Sequence, residues 1–165
     1  MGNGIAIKPM TKADIPIYGV VIRRSFMTVA KEFCITVDNF PRYTGFITDD
    51  RLEGLYSENY HPYGCFIGDV CIGFVSINNK GGGIFEMNNL AVLPEYRHFG
   101  YGKRLLAHCQ AAVRSFCGHT IEIGIIEENA KLRNWYIENN FTHKGTKRFD
   151  GVPFTVGYME WNDIR

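Results

Sequence analysis

Arg97-His98-Phe99-Gly100-Tyr101-Gly102 sets two glycines just ahead of a run in which Leu105, Leu106, Cys109, Ala112, Val113 and Phe116 recur at helical spacing. A helix start presents unpaired N–H groups and the positive end of the macrodipole. Glycines at that point let a phosphate oxygen reach the backbone with no Cβ in its path. The chemistry this spacing suits is the seating of a pyrophosphate. Two familiar phosphate motifs do not fit. A P-loop needs glycine where Arg97 stands and Ser or Thr where Arg104 stands. A dinucleotide fingerprint needs a third glycine where Leu105 stands.

The elements that must position this loop follow from pattern. Ile84 to Val92, with its apolar Met87–Val92 half, reads as a buried strand closed by Pro94, and the helix follows the glycines from Lys103. Thr120 to Ile126 is a β-branched run and reads as a second central strand. A strand, helix and strand in that order predict a parallel pair joined by a right-handed crossover.

Upstream, Gly4 to Lys8 reads as a strand, and Thr11 with Asp14 resembles a capping box before a helix that admits Pro16 in its first turn. Ile17, Val20, Val21, Phe26, Val29, Ala30 and Phe33 are that helix's expected apolar side, with a second short helix near Asp50 to Glu58. Gly64–Ile67 and Val70–Asn78 read as strands turned at Gly68-Asp69. Asn129 caps a short helix, and Phe141–Lys147 and Phe154–Trp161 close the chain as strands. The predicted order is β-α-α-β-β-β-α-β-α-β-β. It implies a mixed α/β (α+β) sheet of about seven strands, mostly antiparallel around one parallel central pair.

Composition narrows the class. A chain of 165 residues suits one domain, here residues 1–165. A net charge of +1 gives no pull towards nucleic acid or anionic membrane. No apolar run approaches the roughly 18 residues needed to cross a bilayer. Ala6 stands where a myristoylation signal beginning at Met1-Gly2 requires Ser or Thr. Cys34, Cys65, Cys71, Cys109 and Cys117 are odd in number, form no Cys-x-x-Cys pair and have no His at ligand spacing. Reduced thiols in a cytoplasmic protein, with no metal and no disulfide framework, are the expectation.

Arg-x-x-Gly-x-Gly after a strand closed by Leu93-Pro94 resembles the acetyl-CoA signature of the GNAT superfamily of N-acetyltransferases. A second signature of that family follows a strand later: Asn129-Ala130, Trp135-Tyr136 and Asn140-Phe141. Asn140 replaces the usual glycine, and asparagine tolerates the left-handed backbone such a turn uses. The resemblance covers residues 64–145 by motif and implies the GNAT fold, with helices on both faces of the sheet. It implies that the backbone of His98, Phe99, Gly100, Tyr101, Gly102 and Lys103 holds the pyrophosphate of acetyl-CoA, with Arg97 at the motif's first position. It further implies that Leu90, Ala91 and Val92 border the pantetheine arm as an added strand would. Asn129 would contact the cofactor from the other side, in a gap where the two central strands splay.

The family reaction is direct attack of an amine on the thioester. By resemblance, Leu90 N–H stabilises the oxyanion, Tyr136 is the general acid and Glu86 the base; Glu122, alternating along the next strand, is a weaker candidate for the base. A lysine-like amine must give up a proton at a cost of about 4–5 kcal/mol at pH 7, an α-amine only about 1–1.5 kcal/mol. The acceptor wall is expected in residues 30–60. There Lys31, Arg42 and Arg51 face Glu32, Asp38, Asp49, Asp50, Glu53 and Glu58 amid aromatics, which predicts a cationic amine. The implied activity is acetyl-CoA-dependent N-acetylation of a small-molecule or peptide amine, by a monomer or a homodimer. Acetylation of protein N-termini and silent acyl-CoA binding are the alternatives. Nucleic acid and membrane are not expected partners.

Overall fold

The computed structural model describes residues 4–164; Met1–Asn3, where the myristoylation motif would begin, lie outside them. The elements run β1 (Ile5–Pro9), α1 (Ile15–Glu32), α2 (Asp49–Glu53), β2 (Tyr60–Ile67), β3 (Val70–Gly81), β4 (Ile84–Val92), α3 (Tyr101–Ser115), β5 (Thr120–Ile126), α4 (Ala130–Glu138), β6 (Thr142–Arg148) and β7 (Thr155–Asn162). Their order is the one the sequence predicts. They form one seven-stranded sheet in the order β1-β2-β3-β4-β5-β7-β6. Only β4 and β5 run parallel; every other neighbouring pair is antiparallel. A hairpin joins antiparallel neighbours in a few residues, whereas the parallel pair needs the α3 crossover.

The sheet separates two apolar layers. On one face α3 presents Leu105, Leu106, Cys109 and Val113 to Val75, Ile77, Phe85 and Ile121. On the other, α1 presents Ile15, Tyr18, Val21 and Ile22 to Phe74 and Ala91. Helices therefore cover both faces, as the resemblance implies.

The side of α1 that is buried differs from the expectation. Ile17 and Val20 are 50% and 46% exposed, while Tyr18 and Ile22 are fully buried. The segment carries apolar residues around most of its circumference, so spacing alone admits two stripes. Tyr18 decides between them by stacking on Phe74, with ring centroids 4.5 Å apart and planes at 18°. Asp14 accepts from the Thr11 N–H and hydroxyl (2.7 and 3.0 Å), which fixes the chain just before α1. α2 is shorter than expected, ending at Glu53, and α3 begins two residues before Lys103. β2 begins four residues before Gly64, at Tyr60. Trp161 is buried in the core, whereas Phe149 and Tyr158 near the last strands are exposed.

Candidate active site

β4 and β5 pair through Ile84↔Thr120, Phe85↔Ile121 and Glu86↔Glu122, and no further. Beyond Glu86 the two strands diverge. The edge of β4 from Met87 to Val92 then faces β5 with no strand partner, a wedge opening towards the C-terminal ends of both strands. An unpaired strand edge inside a protein is a template for an extended ligand.

On its other side β4 pairs with β3, but the register shifts between Phe74 and Ser76. Ser76 opposes Asn88 and Phe74 opposes Ala91, so Asn89 and Leu90 together face Val75. This is a β-bulge, and Asn89 sits in it with a positive φ of 55°. Leu90 consequently has no partner in the β3 register. The sequence reading missed the bulge; the signal was Asn88-Asn89 in the middle of an apolar strand, since asparagine adopts left-handed angles more readily than other side chains.

Past the wedge the chain makes the turn that the two glycines predict. His98 and Gly100 have φ values of 67° and 84°. Alternating left-handed residues turn successive N–H groups towards one concavity, an anion nest. Among the described residues no acceptor takes the N–H groups of His98, Phe99, Gly100, Tyr101, Gly102 or Lys103; the first paired one is Arg104 N–H, on the Gly100 carbonyl at 3.1 Å. A Cβ at Gly100 would meet nothing within 4 Å, so the cradle is open. Room, donors and helix polarity all fit a pyrophosphate.

Arg97 has another task. Its guanidinium reaches the Val92 carbonyl (Nε, 3.1 Å), Thr28 Oγ1 (Nη1, 3.0 Å) and the Ser25 carbonyl (Nη2, 3.0 Å). It ties the end of β4 and the loop to α1, and it also occupies one acceptor position on Val92. Lys103 and Arg104 remain exposed beside the nest.

Tyr136, on α4, is 5% exposed and belongs to the core cluster that includes Ile123 and Ile125 of β5. Its ring packs edge-on against Trp135 and Phe141, centroids 4.9 and 5.1 Å away. Burial raises its phenol pKa above the usual tyrosine range, which makes the proton harder to give up; at neutral pH any tyrosine carries that proton. Asn129 caps α4 with Oδ1, which accepts from Leu132 N–H at 3.2 Å. That leaves its Nδ2 as a donor at the C-terminal end of β5. Glu86 stands at the closed end of the wedge, paired with Lys80 at 3.4 Å and 40% exposed. Glu122, its register partner, is exposed.

A cleft of 340 Å³ lies between α1 and the diverged part of β5. Phe26, Val29, Phe40, Tyr43, Phe154, Ile126 and Val156 make it apolar; Arg42, Thr44 and Asn129 supply its polar atoms. The segment expected to wall an acceptor site thus does line a cleft, with its aromatics. Its acids do not. Asp49 pairs with Arg23 at 2.9 Å and Glu53 with Lys12 at 3.9 Å, and among the described residues the one charged residue in the lining is Arg42. Among the described residues no cluster of His, Cys, Asp and Glu is arranged to hold a metal ion, and no helix is long and apolar enough to cross a membrane.

The model of the GNAT acetyltransferase family matches residues 28–141. No curated protein matches the chain. Many solved structures share its fold. The ribosomal-protein-S18-alanine N-acetyltransferase from Escherichia coli is 14% identical, with a TM-score of 0.79 over 98% of this chain and 96% of that one. The PaiA N-acetyltransferase from Thermoplasma acidophilum, in complex with coenzyme A, is 19% identical, with a TM-score of 0.70 over 96% and 99%. A spermidine N-acetyltransferase chimera from Vibrio cholerae is 16% identical, with a TM-score of 0.72 over 96% and 95%. Likeness at these identities is one of fold.

Proposed function

The chain belongs to the GNAT acetyltransferase family, and on that premise we propose that residues 1–165 form one domain that acetylates the primary amine of a small molecule or peptide, using acetyl-CoA by direct attack in a ternary complex in the cytoplasm. The observation that carries the reading is the run of unpaired N–H groups from His98 to Lys103 at the mouth of the β4–β5 wedge. Anion seat and strand-like slot adjoin, as a ligand with a pyrophosphate and an extended amide-bearing arm requires.

Acetyl-CoA, when bound, supplies an activated thioester carbonyl and a thiol leaving group. The protein's residues then have three tasks. The N–H groups from His98 to Lys103 hold the pyrophosphate, and the free edge of β4 from Leu90 to Val92 aligns the arm, with Asn129 Nδ2 donating from the other wall. Leu90 N–H, on a residue that the register shift leaves without a β3 partner, donates to the carbonyl oxygen as it gains charge. Preorganised donors of this kind contribute about 3–4 kcal/mol. Tyr136, protonated at neutral pH as tyrosines are, holds its phenol proton for the departing sulfur. A thiol of pKa about 8.5 leaves readily near neutrality, so this help is modest. Glu86, or Glu122 beside it, takes the amine's proton through water at the closed end of the wedge.

A thiol-release assay with acetyl-CoA across polyamines, aminoglycosides, amino acids and short peptides tests the reading. Release with at least one amine class supports it, and exclusive activity on peptides would shift it to acetylation of protein N-termini. Tight coenzyme A binding without release from any amine would make the domain a silent acyl-CoA binder. If coenzyme A neither binds nor raises Tm, the reading fails at its root.

A further inference from the structure

The apolar cleft under α1 narrows the acceptor's chemistry. It is bounded by Phe26 of α1, Phe40 and Tyr43 of the connecting segment and Phe154 before β7, and it reaches Asn129 at the end of β5. Its volume of 340 Å³ suits a small ligand with a ring or branched chain. Arg42 stands in the lining and is exposed. Its carbonyl accepts from Arg51 at 3.5 Å, but among the described residues its guanidinium has no hydrogen bond or ion pair. Its neighbours differ: Arg23 is held by Asp49 and Arg24 by Glu95. An arginine left unpaired at the edge of an apolar cleft, with no carboxylate in the lining, selects for an anion and against a cation.

We infer that the acceptor is an amine with an apolar or aromatic body and a carboxylate, an amino acid of that kind, whose carboxylate pairs with Arg42 while its side chain fills the aromatic cleft. This inference rests on the acetyltransferase reading and replaces the cationic acceptor expected from the acidic count of residues 30–60. Those acids lie outside the cleft lining, and two of them, Asp49 and Glu53, are paired with basic residues elsewhere. An amine without an anion forgoes the Arg42 contact, and a polyamine meets its positive charge.

The test compares L-phenylalanine, phenethylamine and spermidine with wild-type protein and Arg42→Gln. Binding to the coenzyme A-free protein is measured calorimetrically and acetylation by thiol release. L-Phenylalanine is expected to bind at least tenfold more tightly than phenethylamine. In Arg42→Gln that ratio falls towards one through loss of L-phenylalanine binding, with phenethylamine unchanged and the melting temperature preserved. Spermidine as the best ligand, or a ratio that Arg42→Gln leaves intact, overturns the inference while leaving acetyl transfer standing. Absence of binding by all three overturns it as well. Failure of coenzyme A to bind overturns the function beneath it, and the two failures are read in separate titrations.

Discussion

Gly102→Val should separate the ligand seat from the fold. In the structure a Cβ at Gly102 would sit 3.7 Å from Trp135 Cζ2 and 3.9 Å from Val92 Cγ2, which are ordinary contacts. Gly102 lies in the first turn of α3, where valine is about as compatible with a helix as glycine, both lying within about 1 kcal/mol of alanine. Thermal unfolding should therefore shift by no more than about 1 kcal/mol. The ligand meets a different surface. A branched side chain at the helix start covers the N–H groups of the nest. Loss of two hydrogen bonds to a charged group, at about 1.5–3 kcal/mol each, weakens coenzyme A by about a hundredfold or more. Gly100→Val is the poorer test, because Gly100 has a φ of 84°. A β-branched residue there strains the backbone by about 1–2 kcal/mol, so stability and binding fall together. Calorimetric titration with coenzyme A beside a melting curve reads both effects. Wild-type affinity in a folded Gly102→Val protein would refute the anion seat, and an unfolded protein would refute the packing described around Gly102.

Tyr136→Phe removes only the phenol oxygen from a packed ring, so kcat should fall by about a hundredfold, the low end of general-acid catalysis, with Tm little changed; full activity would take Tyr136 out of the mechanism. Glu86→Gln breaks an exposed pair with Lys80 worth at most about 1 kcal/mol of stability, yet should lower kcat most with amines of high pKa; an equal loss across amines of different pKa would exclude a base role. Arg97→Met removes the three hydrogen bonds that tie the loop to α1 and should cost about 2–3 kcal/mol in urea unfolding, with a smaller loss of coenzyme A affinity than Gly102→Val causes. Burial pushes Tyr60 up to about 12, so the folded protein keeps a proton that the unfolded chain releases above pH 10. Stability should be flat below pH 10 and then fall by about 1.4 kcal/mol per pH unit for this tyrosine up to pH 12, as urea melts across pH 8–12 would show.

Much of this was legible in the sequence because local chemistry and tertiary placement agree. Pro94, Gly100 and Gly102 punctuate β4 and α3 by backbone rules, and the short, β-branched Ile run of β5 favours a strand by length and composition. The parallel pair follows from chain order. The stripe of α1 was not legible, because apolar residues surround the helix and only the stacking of Tyr18 on Phe74 selects a side. Arg97 was visible as a motif position, but its use as a clamp depends on Ser25 and Thr28, far away in sequence. Counting charge over residues 30–60 does not describe the cleft lining, for a similar reason. A count does not say that Asp49 turns to Arg23, or that Arg42 and none of the acids stands in the cleft lining.

The central claim is that the nest at the start of α3 and the free edge of β4 together hold the acyl donor. Amide hydrogen exchange with and without coenzyme A measures this residue by residue, since N–H groups without internal acceptors exchange fast until a ligand covers them. The account predicts that coenzyme A slows the amides of His98 to Lys103 and those bordering the wedge at Leu90 to Val92, with little change at the β1 edge of the sheet. Unchanged exchange from His98 to Lys103 in protein saturated with coenzyme A would contradict it.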